Sequence, residues 1–275
     1  MVLDVQALRV EYPVHGRQPF IAVDGVSLSV DAGETFGIVG ESGCGKTSFA
    51  KTVIGLHPPA DGTIRFEGAD ITGMTAGQFK AYRRSVQMVF QDASGSLNPR
   101  MTVRQTLEEV LRVHKMCPPQ QLGARVLELI DRVGLPPDTL GSYSCEISGG
   151  QCQRVSLARC LALEPRLIIA DEPVSALDVS VQARILNLIR KLQKELDLAV
   201  ILISHDLAVV RNICDRVAVM HGGRFVEEGT ATAVMGNPQH AYTRALLDAV
   251  PDVARALSRR PPAKPPSSSC DDPER

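Results

Sequence analysis

Gly40-Glu41-Ser42-Gly43-Cys44-Gly45-Lys46-Thr47, reached through the apolar run Phe36-Gly37-Ile38-Val39, is the stretch that decides the fold. It has the G-x-x-x-x-G-K-[ST] spacing between a strand-length run and a helix-compatible segment, which is the context a phosphate-binding loop requires. Glycines let successive backbone N–H groups turn inward around phosphate oxygens, and the following helix directs its positive end at them. Lys46 adds a point charge for the outer phosphates, and Thr47 offers a hydroxyl to Mg²⁺. Cys44 lies inside the loop at a helix start, either as a reactive thiol or as a small side chain that fits.

Upstream of the loop, apolar and polar residues alternate, as in Leu8-Val10-Tyr12 and Val26-Leu28-Val30, which predicts strands with one face on a core. Asp31-Ala32-Gly33 turns the chain into the Phe36 run. Downstream, strand-length apolar runs recur at 86–90, 167–170 and 199–203. The last two flank a helical pattern with Ile185, Leu188, Ile189, Leu192 and Leu196 on one face. Strand, helix and buried strand in succession predict a largely parallel sheet covered on both sides.

Between about residues 92 and 147 the strand signals fade, and Leu122, Val126, Leu127, Ile130 and Val133 at helical spacing predict a helical insertion. Gly222-Gly223, between Val217-Ala218-Val219-Met220-His221 and Arg224-Phe225-Val226, predicts a two-residue hairpin. The last twenty residues are proline-rich, contain Ser267-Ser268-Ser269 and offer little to bury, so they predict a disordered tail.

At 275 residues and 44% hydrophobic, the chain can bury a substantial core. Thirty basic residues against thirty-one acidic ones leave a net charge of -1, which gives no field for nucleic acid or an anionic surface. No run reaches the ~18 apolar residues of a membrane span, and Met1-Val2-Leu3-Asp4 does not open a signal peptide, so a cytosolic chain is expected. The seven cysteines form no C-x-x-C pair or metal-ligand spacing and read as reduced thiols.

Two further segments carry chemistry. Leu167-Ile168-Ile169-Ala170-Asp171-Glu172 is a buried strand ending in two carboxylates, of which the first can reach Mg²⁺ and the second can polarise a water. Ile147-Ser148-Gly149-Gly150-Gln151 opens a second helix with an anion-binding start. Placed in the insertion, it does not easily reach its own chain's nucleotide. A dimer in which each chain's Ser148 segment covers the other's ATP resolves this.

In order, the loop at 40–47, Gln91, Ser148-Gly149-Gly150-Gln151, Asp171-Glu172, Ser175-Ala176-Leu177-Asp178 and His205 resemble the motif series of ABC-transporter ATPases. The resemblance implies an α/β P-loop NTPase (ABC ATPase) core with an N-terminal antiparallel β subdomain and an inserted helical subdomain. The core covers 1–91 and 152–235, the helical subdomain 92–151, a C-terminal extension 236–255 and the tail 256–275.

By the same resemblance, Gly40 through Thr47 and Ser48 hold the nucleotide, and Tyr12 stacks on adenine, with Phe20 as its rival. Thr47, Gln91 and Asp171 hold Mg²⁺, and Gln91 also links to the membrane contact. Glu172 is the catalytic base, His205 the γ-phosphate contact and Lys46 a charge on the phosphates. Ser148, Gly149, Gly150 and Gln151 act in trans, and Asp178 belongs to the dimer-contacting D-loop.

Val89-Phe90-Gln91-Asp92, Ser96-Leu97-Asn98-Pro99-Arg100 and His240-Ala241-Tyr242-Thr243-Arg244-Ala245-Leu246-Leu247 resemble the dipeptide, oligopeptide and nickel importer branch. Arg83-Arg84 before the 86–90 run resembles the F-type second ATPase subunit. The implied partners are a sister ATPase or a second copy, two permeases and, indirectly, an extracytoplasmic substrate-binding protein, at the cytoplasmic face of the membrane. Peptide leads as cargo, with nickel or a metal chelate next; a soluble ABC ATPase without permeases is the rival class. Ile147 in place of leucine and the Thr47-Ser48 order depart from the pattern while keeping the chemistry. The C-terminal cysteines of many relatives are reduced here to Cys270, which argues against an iron–sulfur cluster.

Overall fold

The computed structural model describes residues 1–16 and 18–249. The alternating N-terminal segments become β1 (Leu3–Tyr12) and β2 (Phe20–Val30), antiparallel, with Leu3 opposite Val30 and Tyr12 opposite Phe20. Leu8, Val10, Val26, Leu28 and Val30 are buried, as the alternation requires. β3 (Thr35–Val39) then runs into the glycine loop and α1 (Lys46–Val53). β4 (Asp61–Phe66) and β5 (Ala69–Asp70) return to the first sheet, giving the order β2-β1-β4-β5.

After α2 (Ala76–Ser85) the chain enters the second sheet through β6 (Val86–Val89). The helical stretch follows: α3 (Val103–Val113), α4 (Leu122–Arg132) and α5 (Gly149–Leu161). β7 (Leu167–Asp171), α6 (Val179–Leu196), β8 (Ala199–Ser204), α7 (Leu207–Ile213) and β9 (Arg216–His221) rebuild the βαβ rhythm. β10 (Arg224–Thr230), α8 (Ala231–Gly236) and α9 (Ala241–Asp248) complete the described chain. The sheet order is β10-β9-β3-β8-β7-β6, parallel except for β10. Gly222 and Gly223 make the predicted hairpin at φ 54° and 81°, the two positive values that a turn matching the strand twist demands.

The parallel strands carry apolar side chains on both faces. Phe36, Ile38, Ile169 and Ile201 pack with α1 and the antiparallel sheet, while Val39, Ile168, Ala170, Val200 and Leu202 pack with α3 to α8. Fully burying each such large aliphatic side chain stabilises by about 1.5–3 kcal/mol, so the central sheet is a rigid platform. Ile185, Leu188, Ile189 and Leu192 face this core from α6, as the spacing predicts.

In α4 the stripe differs by one residue: Leu129 is buried, while Leu127 is 45% exposed. At about 100° per residue, Leu127 stands roughly 140° around the helix from Leu122, beyond the buried face. α5 runs unbroken from the Ser148 segment into the core, so position 151/152 falls inside a helix.

Cys44, Cys117, Cys145, Cys152, Cys160 and Cys214 are free thiols, and burial pushes Cys160 up to about 11. Among the described residues no helix is long and apolar enough to cross a membrane. The expected tail at 256–275, Cys270 within it and the end of the 236–255 extension lie outside the described residues.

Candidate functional site

The parallel register sets the site. Val39 pairs with Ser204, Asp171 with Ile203 and Val89 with Ala170, so Gly40, Gln91, Asp171, Glu172 and His205 all leave the sheet at its C-terminal edge. In open parallel sheets that edge is where ligands sit.

The loop is held on several sides. Gly45, at φ 113°, passes so close to β2 that a Cβ there would run into the Ala22 carbonyl oxygen. The Gly223 N–H donates to the Cys44 carbonyl at 3.0 Å, tying the β9–β10 hairpin to the loop. Lys46 is only 4% exposed, and its ammonium donates to the Gly40 and Glu41 carbonyls at 2.7 Å each. Cys44 Sγ is buried 3.6 Å from that ammonium. α1 has no side-chain cap and no acidic residue in its first turn, so its leading N–H groups are left for an anion.

Asp171 ends β7 at 6% exposure, and its Oδ1 has no hydrogen-bond partner. Burial raises the carboxyl above its ordinary pKa, the Thr47 hydroxyl pulls it back, and the neighbouring Glu172 charge raises it again. Next in the chain, Glu172 adopts φ 47°, a left-handed backbone that side chains rarely take. Its N–H is tied to the Ile203 carbonyl at 2.9 Å, and the Glu172 carbonyl accepts from the Ser175 hydroxyl at 3.2 Å. This conformation aims Glu172 at His205, whose Nδ1 lies 3.3 Å from Oε1. His205 is presented by a turn in which Ser204 Oγ accepts from the Asp206 N–H, and Asp206 caps α7.

Tyr12 reaches the loop from β1: its hydroxyl is 3.3 Å from Ser48 Oγ, and its ring stacks on His57 at 4.5 Å. Phe20, its register partner, is 57% exposed. Gln91 is exposed just beyond β6 and makes no hydrogen bond among the described residues.

Ser148, Gly149, Gly150 and Gln151 form a separate group with Asp178. A Cβ on Gly150 would meet Val181 Cγ1 at 2.5 Å, and one on Gly149 would meet Leu177 Cδ2 at 3.2 Å, so α5 begins hard against the start of α6. Asp178 stands at the N-cap of α6 without a side-chain cap bond, beside Val179, which is 81% exposed. Among the described residues no hydrogen bond joins this group to Gly40–Thr47.

Two features had no sequence signal: the left-handed Glu172 and a contact from α9, where Tyr242 Oη accepts from the Glu41 N–H at 3.2 Å. His57 was likewise unmarked, since nothing in its neighbourhood points to Tyr12.

Residues 23–175 match the family described as ABC transporter, and residues 226–273 match the oligopeptide/dipeptide transporter, C-terminal region. The oligopeptide transport ATP-binding protein OppF of Salmonella typhimurium is 48% identical over 260 residues, covering 91% of this chain and 78% of that protein. The oligopeptide transport ATP-binding protein AppF of Bacillus subtilis is 51% identical over 231 residues, covering 84% and 70%. The fold is similar, at TM-score 0.75 and 26% identity, to the ATP-binding cassette MJ0796, solved as a dimer in a post-hydrolysis state with ADP and Pi; the match covers 83% of this chain and 98% of that one. With glycine-rich loop, carboxylate pair and histidine gathered on one sheet edge, the chain belongs to the ABC transporter family as one of its ATP-binding, ATP-hydrolysing subunits.

Proposed function

We propose that this chain powers peptide uptake by an ABC importer, working at the cytoplasmic face of the membrane as one half of a nucleotide-sandwiching dimer. The observation that carries the reading is the separation of two anion-binding elements. The loop at 40–47 faces the carboxylates, while the exposed Ser148 and Asp178 make no hydrogen bond to that loop among the described residues. A second copy or a sister ATPase brings that group to the nucleotide, as the dimeric state of MJ0796 supports. Peptide is favoured as cargo by the names of the relatives and by the C-terminal region they share. A groove of about 330 Å³ beside Gln91, lined by Leu56, Arg83, Phe90 and Val110, suits a permease segment.

In this reading Lys46 and the first-turn N–H groups of α1 bind the phosphates, and Tyr12 packs on the base. Glu172 accepts the proton of the attacking water, and His205 fixes the Glu172 side chain and contacts the γ-phosphate. The partner's Ser148 segment completes the cradle.

Mg²⁺ fits the oxygen donors present: the unpartnered Asp171 Oδ1 and the Thr47 hydroxyl would hold it, with Gln91 as a further ligand and phosphate oxygens supplying the rest. Bound there, it supplies charge neutralisation on the phosphates.

The test is purification of the tagged chain from detergent-solubilised membranes of its host. Two permeases and a sister ATPase should accompany it, whereas recovery from the soluble fraction alone would remove the importer reading. In that complex Glu172→Gln is expected to keep ATP binding and slow turnover about 10²–10⁴-fold. Turnover near the unsubstituted rate would take Glu172 out of the catalytic step.

A further inference from the structure

The peptide unit joining Gly40 to Glu41 is held at both ends by side chains. Its carbonyl accepts from Lys46 Nζ at 2.7 Å, and its N–H donates to Tyr242 Oη at 3.2 Å. Lys46 belongs to the loop itself, but Tyr242 lies 201 residues beyond Glu41, in α9.

That tyrosine is itself firmly placed. Its ring packs against the His221 ring at 4.0 Å, at the end of β9. The start of α9 is tied to β10 through Glu227, whose two carboxylate oxygens accept from the Gln239 and His240 N–H groups at 2.8 and 3.0 Å. Burial raises the Glu227 pKa, but those N–H groups together with the Thr243 side chain outweigh it and hold the carboxyl below its ordinary value. Glu227 therefore remains a charged acceptor at neutral pH, and charged acceptors make the stronger hydrogen bonds.

The geometry points to Tyr242 as a positioning residue for nucleotide binding: its hydroxyl fixes the plane of the Gly40–Glu41 peptide, and with it the carbonyl against which the Lys46 ammonium is aimed. The inference rests on reading residues 40–47 as the phosphate cradle. Lys46 is shared between the Gly40 and Glu41 carbonyls. Phosphate oxygens draw the ammonium toward themselves, and Tyr242 then keeps the peptide from rotating. Because coupling between two sites is reciprocal, nucleotide on the loop steadies α9 in turn. The C-terminal region thus acts as a strut under the first peptide of the loop.

Tyr242→Phe in the full-length chain deletes the hydroxyl and keeps the ring on His221. Titrated with a fluorescent ATP analogue, this variant is expected to bind about three- to tenfold more weakly, the weight of one hydrogen bond. Its melting midpoint without nucleotide should not change. Hydrogen exchange supplies the reciprocal readout: nucleotide should slow the amides of residues 243–247 in the unsubstituted chain and not in Tyr242→Phe. Lys46→Ala is measured alongside and should lose nucleotide. Unaltered affinity in Tyr242→Phe with lost affinity in Lys46→Ala overturns the role of the tyrosine and leaves the loop reading standing. Retained affinity in Lys46→Ala overturns both. A loss of affinity matched by a lower melting midpoint also overturns the inference, because the effect is then one of folding.

Discussion

Two helices of this chain begin at glycine-rich segments, and their first turns are satisfied in opposite ways. At α5 the Ser148 hydroxyl accepts from the Gln151 N–H at 3.3 Å, and the Gln151 side chain accepts from the Ser148 N–H at 2.9 Å, a closed capping box. At α1 there is no such box, and the preceding loop is braced from outside by β2, the β9–β10 hairpin and α9. The first start is partly closed by its own side chains, with the Gly149 and Gly150 N–H groups left without a partner among the described residues, and Ser148 and Gly149 lie exposed on the surface. The second is rigid yet unsatisfied, which is the condition of a preformed anion site. This contrast supports the proposal that nucleotide binds first at the loop and that the Ser148 segment of another molecule then closes on it.

The largest effect is expected from removing the charge of the loop. Lys46→Ala is expected to weaken ATP binding by the isolated chain about a hundredfold, in line with the ~1.5–3 kcal/mol of a hydrogen bond to a charged group, as measured by fluorescence titration. Ser148→Ala should leave that affinity unchanged while lowering turnover of the assembled transporter. A Ser148→Ala chain that loses affinity as an isolated subunit would show that the two starts share one nucleotide within a chain.

A smaller effect is expected from Gly150→Ala, which places a methyl group 2.5 Å from Val181 Cγ1. Overpacking of this kind costs about 1–3 kcal/mol, so thermal melting should fall by several degrees with loop affinity intact. An unchanged melting point would mean that α5 and α6 separate freely.

The mildest test is pH. Because burial raises the Asp171 carboxyl and only its ionised form suits Mg²⁺, the Mg²⁺ enhancement of nucleotide binding should fade on acidification at a higher pH than for an ordinary carboxylate. Mg²⁺ titrations at falling pH read this directly. A loss confined to the usual carboxylate range would indicate that Asp171 is not the ligand.

The parts of this site that follow from local rules were legible in the residues. The loop at 40–47, the strand ending at Asp171-Glu172, the helix start at Ser148 and the Gly222-Gly223 hairpin each carry their spacing within about ten positions. The contacts that brace the loop were not, because Tyr242 and Glu41 are 201 positions apart and an aromatic in an amphipathic helix has many possible neighbours. His57 beneath Tyr12 is hidden for the same reason, at the end of a segment with no periodic signal. Leu127 was misplaced because an apolar residue beside a helical stripe resembles a member of it until the angle is counted.

The left-handed backbone at Glu172 has an evolutionary consequence. A residue with a side chain costs roughly 1–3 kcal/mol in such a conformation, and glycine avoids it. The proposed base therefore stands where selection for thermal robustness alone would favour its loss. On the proposed role, the demand for turnover holds glutamate there against this cost, so screens that reward stability without activity should drift toward silent, hardier chains at this position.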